Sequence, residues 1–116
     1  MNIDSLLTEI RSAEPTLRGE HKHIWELISI FPARWRISAF PVTDEEAWVV
    51  GIFGERVLWY NDIEEGFNIS RYSEFGTIDE YWANQDGLPE ALERIRSMIY
   101  WGGPPQGQCG PPTQSA

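Results

Sequence analysis

Asp62, Glu64, Glu65 and Gly66 fall within five residues of the stretch WYNDIEEGFNISRY (59–72), preceded by the pair Trp59–Tyr60 and followed by Phe67 and Tyr72. Carboxylates closed by a glycine are ingredients of a calcium loop, in which acids or amides at positions 1, 3 and 5, Gly at 6 and Glu at 12 supply oxygen ligands. Counted from Asp62, Gly66 falls at 5, Phe67 at 6 and Ser73 at 12, so the register fails. Turn chemistry explains the composition instead: Gly66 can take the positive φ that closes a bulged hairpin, with acids solvating its tip.

Other chemistry finds less support. His21 and His23, two residues apart with Glu20 and Glu26 nearby, would share one face of a strand, but two histidines and a single remote cysteine make a poor metal-ligand supply. Nucleophilic catalysis needs a Ser, Cys or Thr beside a base that a third group orients. Both histidines lie in the first quarter of the chain, there is no Gly-x-Ser-x-Gly elbow, and Cys109 sits among prolines and glycines. Glu64, Glu65, Glu74, Asp79 and Glu80 could supply a carboxylate pair, yet plentiful acid on a small surface is ordinarily solvated. No phosphate-cradling glycine loop follows a strand. The expectation is a chain with no metal, no cofactor and no catalytic residue.

Charge is more informative. The formal net charge is −9, and it is uneven: residues 1–43 carry five acids and five bases, whereas 44–93 carry thirteen acids against Arg56 and Arg71. Such a middle third repels nucleic acid and anionic lipid and would be steered toward a basic protein surface; solubility alone is the competing explanation. RNA stacking on sheet aromatics would need a basic surround that this region lacks. An unpaired cysteine, an acid-bearing N-terminal stretch and the absence of a run of ~20 apolar residues predict a cytoplasmic protein without a signal peptide or membrane span.

The elements that must position these residues follow from period and punctuation. Asp4 can cap a helix to Ala13 whose Leu6, Leu7 and Ile10 share a face, with Pro15 beyond. In residues 19–32, Ile24, Leu27, Ile28 and Phe31 favour a helix, although Glu26, Ile28 and Ile30 also fit one side of a strand. From Arg34 the period becomes two: RWRISAFPV, a TDEE turn, AWVVGIF, a Gly-Glu turn, RVLWYNDI, the EEG loop and FNISRYSEF read as an antiparallel meander of four strands, or five if another joins. Asp86 and Pro89 start a last helix with a Leu88, Leu92, Ile95, Ile99 stripe. The expectation is an α+β fold: one domain over 1–101, sheet packed with N-terminal and C-terminal helices, and a disordered Pro/Gly/Gln-rich tail at 102–116.

Trp59 and Tyr60 are adjacent in a strand and must face opposite sides, so one leaves the main core unless the second face is also covered. An exposed ring rimmed by carboxylates has the make-up of an interface hot spot. The segment WYNDIEEGFNISRYSEFGTIDEYWANQ (59–85) resembles a block of small bacterial proteins, some of which resemble immunity proteins of toxin systems. That resemblance implies an acidic, single-domain protein that inhibits a cognate, basic toxin by binding it, and it transfers no catalytic residue. The residues expected to meet the partner are Trp59, Tyr60, Asp62, Glu64, Glu65, Glu74, Asp79, Glu80 and Tyr81. The rival is a small-molecule or regulatory domain with an aromatic-lined pocket between sheet and last helix.

Overall fold

A computed structural model describes residues 1–39 and 42–111. Helices α1 (Ile3–Ala13) and α2 (Gly19–Ile28) are joined by a 3₁₀ turn, Glu14–Thr16. Strands β1 (Ser29–Ala39), β2 (Val42–Phe53), β3 (Arg56–Asn61), β4 (Gly66–Arg71) and β5 (Thr77–Ile78) follow, and α3 (Leu88–Trp101) ends the regular structure. The sheet order is β4-β3-β2-β1-β5. The first four strands form the antiparallel meander, but β5 pairs parallel to β1, so the five-stranded sheet is mixed. Just past β5, Asp79 N–H donates to Arg71 O at the end of β4 (3.0 Å), which draws the two edges together into a half-barrel.

Both faces of this sheet are buried, so β3 and β4 are covered along nearly their whole length: β3 reads as an apolar run, whereas β4 alternates Phe67 and Ile69 with the buried polar Asn68 and Ser70. On one face Val50, Leu58, Tyr60, Phe67 and Ile69 pack against Leu6 and Ile10 of α1, Ile24 and Trp25 of α2, and Leu88, Ala91, Leu92 and Ile95 of α3. On the other, Trp35, Ile37, Val49, Val57 and Trp59 pack beneath Ile78 and Tyr81 of the segment that follows β4. The segment thus completes a second core that its irregular sequence does not announce.

Local departures from the sequence reading have identifiable causes. The 19–32 stretch is helix only to Ile28; Ser29 to Phe31 already belong to β1. Thr43 to Glu46 do not turn but lie in β2, where Arg36 faces Glu46 and Arg34 Nη1 donates to Glu46 Oε1 at 3.1 Å. Cross-strand arginines neutralise acids that in isolation read as a loop. Asn2, not Asp4, caps α1 through its side chain (Ser5 N to Oδ1, 2.8 Å), and the N-cap of α3 is Gly87, not Asp86, its N–H donating to Glu90 Oε1 at 2.8 Å. Asp86 instead receives Arg94 Nε at 2.5 Å. Ile99 is 64% exposed and Ala91 takes its place in the stripe.

The tail differs most. Residues 102–111 are not a free chain but a strap held by polar side chains: Cys109 N–H donates to Asn84 Oδ1 (2.7 Å), Asn84 Nδ2 to Gly107 O (3.2 Å), and Gln108 Nε2 to Ile69 O of edge strand β4 (2.6 Å). Residues 112–116 of the expected disordered segment lie outside the described residues. The strap helps to cover a sheet edge whose backbone groups would otherwise be free to pair.

Candidate functional site

The hairpin tip between β3 and β4 is fixed from beneath. Asn61, 2% exposed, accepts from Ile63 N–H at 3.0 Å and Glu64 N–H at 3.2 Å through Oδ1 and donates from Nδ2 to Trp82 O at 3.0 Å. This is an Asx turn anchored to a second chain segment, so the loop is tied at three points. Gly66 was expected to supply positive φ, but Glu65 does so (φ 57°). Gly66 is needed for close approach instead: a Cβ there would lie 2.3 Å from Asn84 O and 2.5 Å from Gln85 Cα.

The nine expected contact residues divide into three sets. Asp62 and Glu65 are exposed at the tip and Glu64 is half-buried beside them. Trp59 (1% exposed) and Tyr60 (5%) are core residues of opposite faces, and Tyr81 (7%) covers Trp59, so none of the three is placed as a surface anchor. Glu74, Asp79 and Glu80 lie past the far end of the hairpin, five residues or about 17 Å of strand from the tip. Asp79 there accepts from Ser73 Oγ (2.8 Å), and Glu80 Oε1 from Arg71 N–H (2.9 Å) and Trp82 Nε1 (3.2 Å). The tip set and the far set therefore do not form one patch.

What the sequence reading passed over is Ile63. It is 61% exposed, and Asp62, Glu64 and Glu65 flank it directly. The signal was available: four residues, DIEE, hold one apolar side chain among three acids. Further acid surrounds the tip. Burial, and then the nearby carboxylates of Glu9, Glu65 and Asp62, hold the Tyr60 phenol above its ordinary range. A shallow depression of about 490 Å³ beside the tip is lined by Glu45, Glu46 and Asp62 together with Arg34 and Arg36. The Met1 ammonium pairs with Asp62 Oδ2 at 2.5 Å, which leaves Glu64 and Glu65 without an ion-pair partner among the described residues.

The alternatives can be placed as well. His21 and His23 lie on helix α2, where an i, i+2 pair points about 160° apart rather than to one side. His21 Nε2 lies 2.7 Å from Glu93 Oε1, and no group of three His, Cys, Asp or Glu converges as metal ligands would among the described residues. Between β4 and α3, the crevice lined by Phe67, Ile69, Asn84, Ala91 and Arg94 has a volume of about 0 Å³. That crevice is filled by its own side chains.

Among the described residues no helix is long and apolar enough to cross a membrane. No protein-family model, curated protein or solved structure matches the chain. Among the described residues the fold is α+β, with three α-helices and a five-stranded mixed sheet.

Proposed function

We propose that this chain is a non-catalytic binding protein, in the manner of a bacterial immunity protein, whose acidic hairpin tip docks on a basic cognate toxin and occludes its active or substrate-binding surface. The observation that carries this reading is the fixed tip: Ile63 stands exposed between Asp62, Glu64 and Glu65 on a loop that Asn61 ties to two segments. Binding then freezes little new backbone, and preorganisation of this kind lowers the ordering cost of association. Burying the rest of the Ile63 side chain, 61% exposed in the free chain, contributes roughly 1–2 kcal/mol, and the carboxylates around it steer a basic partner by a factor of about 10–10³ in on-rate. An apolar centre within a charged rim is the arrangement that interface hot spots favour.

The toxin would be a protein whose substrate is itself polyanionic, because an acidic tip competes best for a surface shaped to hold anions. The test is co-expression with the variable C-terminal domain of a large secreted protein encoded beside this chain's gene. Growth should be restored by the wild-type chain and lost with Asp62→Lys, Glu64→Lys and Glu65→Lys combined, with Ile63→Ala intermediate. Rescue that survives the triple reversal would overturn the proposed surface, and no rescue of any neighbouring domain would overturn the function.

A further inference from the structure

At the end of the hairpin remote from the acidic tip, Arg56 and Arg71 are direct register partners, closing the β3–β4 ladder. Directly opposed residues of an antiparallel pair project to the same side with Cβ atoms roughly 4.5–5.5 Å apart. Two like charges in that relation destabilise a ladder unless something offsets them. Neither guanidinium makes an ion pair or hydrogen bond among the described residues, and the one opposing charge beside them is the Glu80 carboxylate, which bonds the Arg71 backbone rather than either fork. In a chain of net charge −9, an arginine pair left free at the end of one ladder is out of keeping with its surroundings.

The pair lines a groove of about 560 Å³ whose other walls are Trp82, Glu80 and the strap residues Pro104, Pro105, Gly107 and Gln108. That volume falls within the 300–1,000 Å³ of small-molecule sites. The walls are fixed. Glu80 Oε1 accepts from both Arg71 N–H (2.9 Å) and Trp82 Nε1 (3.2 Å), Pro105 is buried, and Gln108 is bound to Ile69 O at 2.6 Å. Among the described residues lining the groove Glu80 is the one carboxylate; two N–H groups hold its Oε1 toward Arg71 N and Trp82, so its single negative charge is set against the two guanidiniums and leaves the pair net positive. The groove thus combines two free guanidiniums with an apolar wall of one indole and two prolines.

We infer that this groove is a binding site for a phosphate monoester carried on a flat ring, the phosphoryl group held between Arg56 and Arg71 and the ring against Trp82 and the prolines. A lone carboxylate satisfies one guanidinium fork; a dianionic phosphoryl group offers three oxygens, enough for two forks at once. The site is independent of the acidic tip, and its occupancy says nothing about toxin binding.

The test is a titration of the full chain, ¹⁵N-labelled, with phenyl phosphate, inorganic phosphate and phenylacetate, observed at the Arg56 and Arg71 Nε–H and Trp82 indole N–H resonances. Phenyl phosphate should give saturable shifts at all three, with inorganic phosphate at least tenfold weaker and phenylacetate weaker still. Arg56→Gln with Arg71→Gln should abolish saturation, and Arg71→Lys should weaken it about tenfold by keeping charge without the fork. Because Arg56→Gln removes a like-charge contact, its melting temperature without ligand should not fall below wild type, which separates binding loss from misfolding. Shifts that fail to saturate, that persist in the double glutamine variant, or that rank phenylacetate level with phenyl phosphate would overturn the site.

Discussion

Replacing Asn61 by alanine tests whether the tip is held as the geometry indicates. The side chain supplies three hydrogen bonds, to Ile63 N, Glu64 N and Trp82 O, at 3.0, 3.2 and 3.0 Å. Its own atoms are 2% exposed, so water does not replace the Trp82 contact without opening the loop. Each intramolecular hydrogen bond is worth about 0.5–1.5 kcal/mol net, and an orphaned buried acceptor costs about 1–3 kcal/mol. The two tip N–H groups lie nearer solvent and recover part of their loss, which puts Asn61→Ala at about 2 kcal/mol. For a domain of this size that corresponds to a fall in Tm of roughly 8 °C. Urea unfolding gives the stability, and amide exchange at Ile63 and Glu64 gives the local effect, with both amides losing protection beyond the global change. A loss below 0.5 kcal/mol with unchanged protection at both amides would refute the idea that Asn61 fixes the tip.

Gly66→Ala forces a methyl against the backbone at Asn84, Gln85 and Asp86, with contacts of 2.3–2.7 Å, and should cost about 3 kcal/mol, read by urea midpoint. Asn84→Ala removes the acceptor for Cys109 N–H and the donor to Gly107 O; residues 105–111 should become protease-sensitive while the body stays folded, as limited proteolysis with mass analysis would reveal. Hydrogen bonds from Tyr100 and Arg96 depress Glu20, and those from His21 and the charge of Arg96 depress Glu93. Both groups have lower folded than unfolded pKa values, so their contribution is present in full above the ordinary glutamate range, shrinks as pH falls through it and is gone once pH falls below the depressed folded values. Glu20→Gln with Glu93→Gln should flatten that decline in Tm between about pH 5 and pH 3, with the sign following from linkage.

The parts of the fold visible in the sequence are those set by local periodicity. Leu88, Leu92 and Ile95 mark α3, and the Gly54–Glu55 turn separates β2 from β3, because one face and one turn decide each. Less legible were features that depend on a distant partner. TDEE reads as a turn until Arg36 faces Glu46 across a ladder and Arg34 donates to the same carboxylate, and Trp59 and Tyr60 read as one buried and one exposed until Ile78 and Tyr81 close the second face. The strap was invisible for the same reason. Its composition lacks apolar anchors, and what holds it is the amide chemistry of Asn84 and Gln108, which hydrophobic pattern does not register. At the candidate site, the acidic tip was legible as a cluster of charges, whereas Ile63 was overshadowed by two larger rings that prove to be core.

The proposed docking role of the tip is tested most directly by calorimetric titration of the chain against whichever neighbouring-gene domain it rescues in the co-expression assay, at about 50 mM and 300 mM salt, for wild type and for the Asp62→Lys, Glu64→Lys, Glu65→Lys variant. The expected result is tight one-to-one binding that weakens by tenfold or more at the higher salt and is lost in the triple reversal. An affinity indifferent both to salt and to the three reversals would contradict the role assigned to Ile63 and its carboxylates.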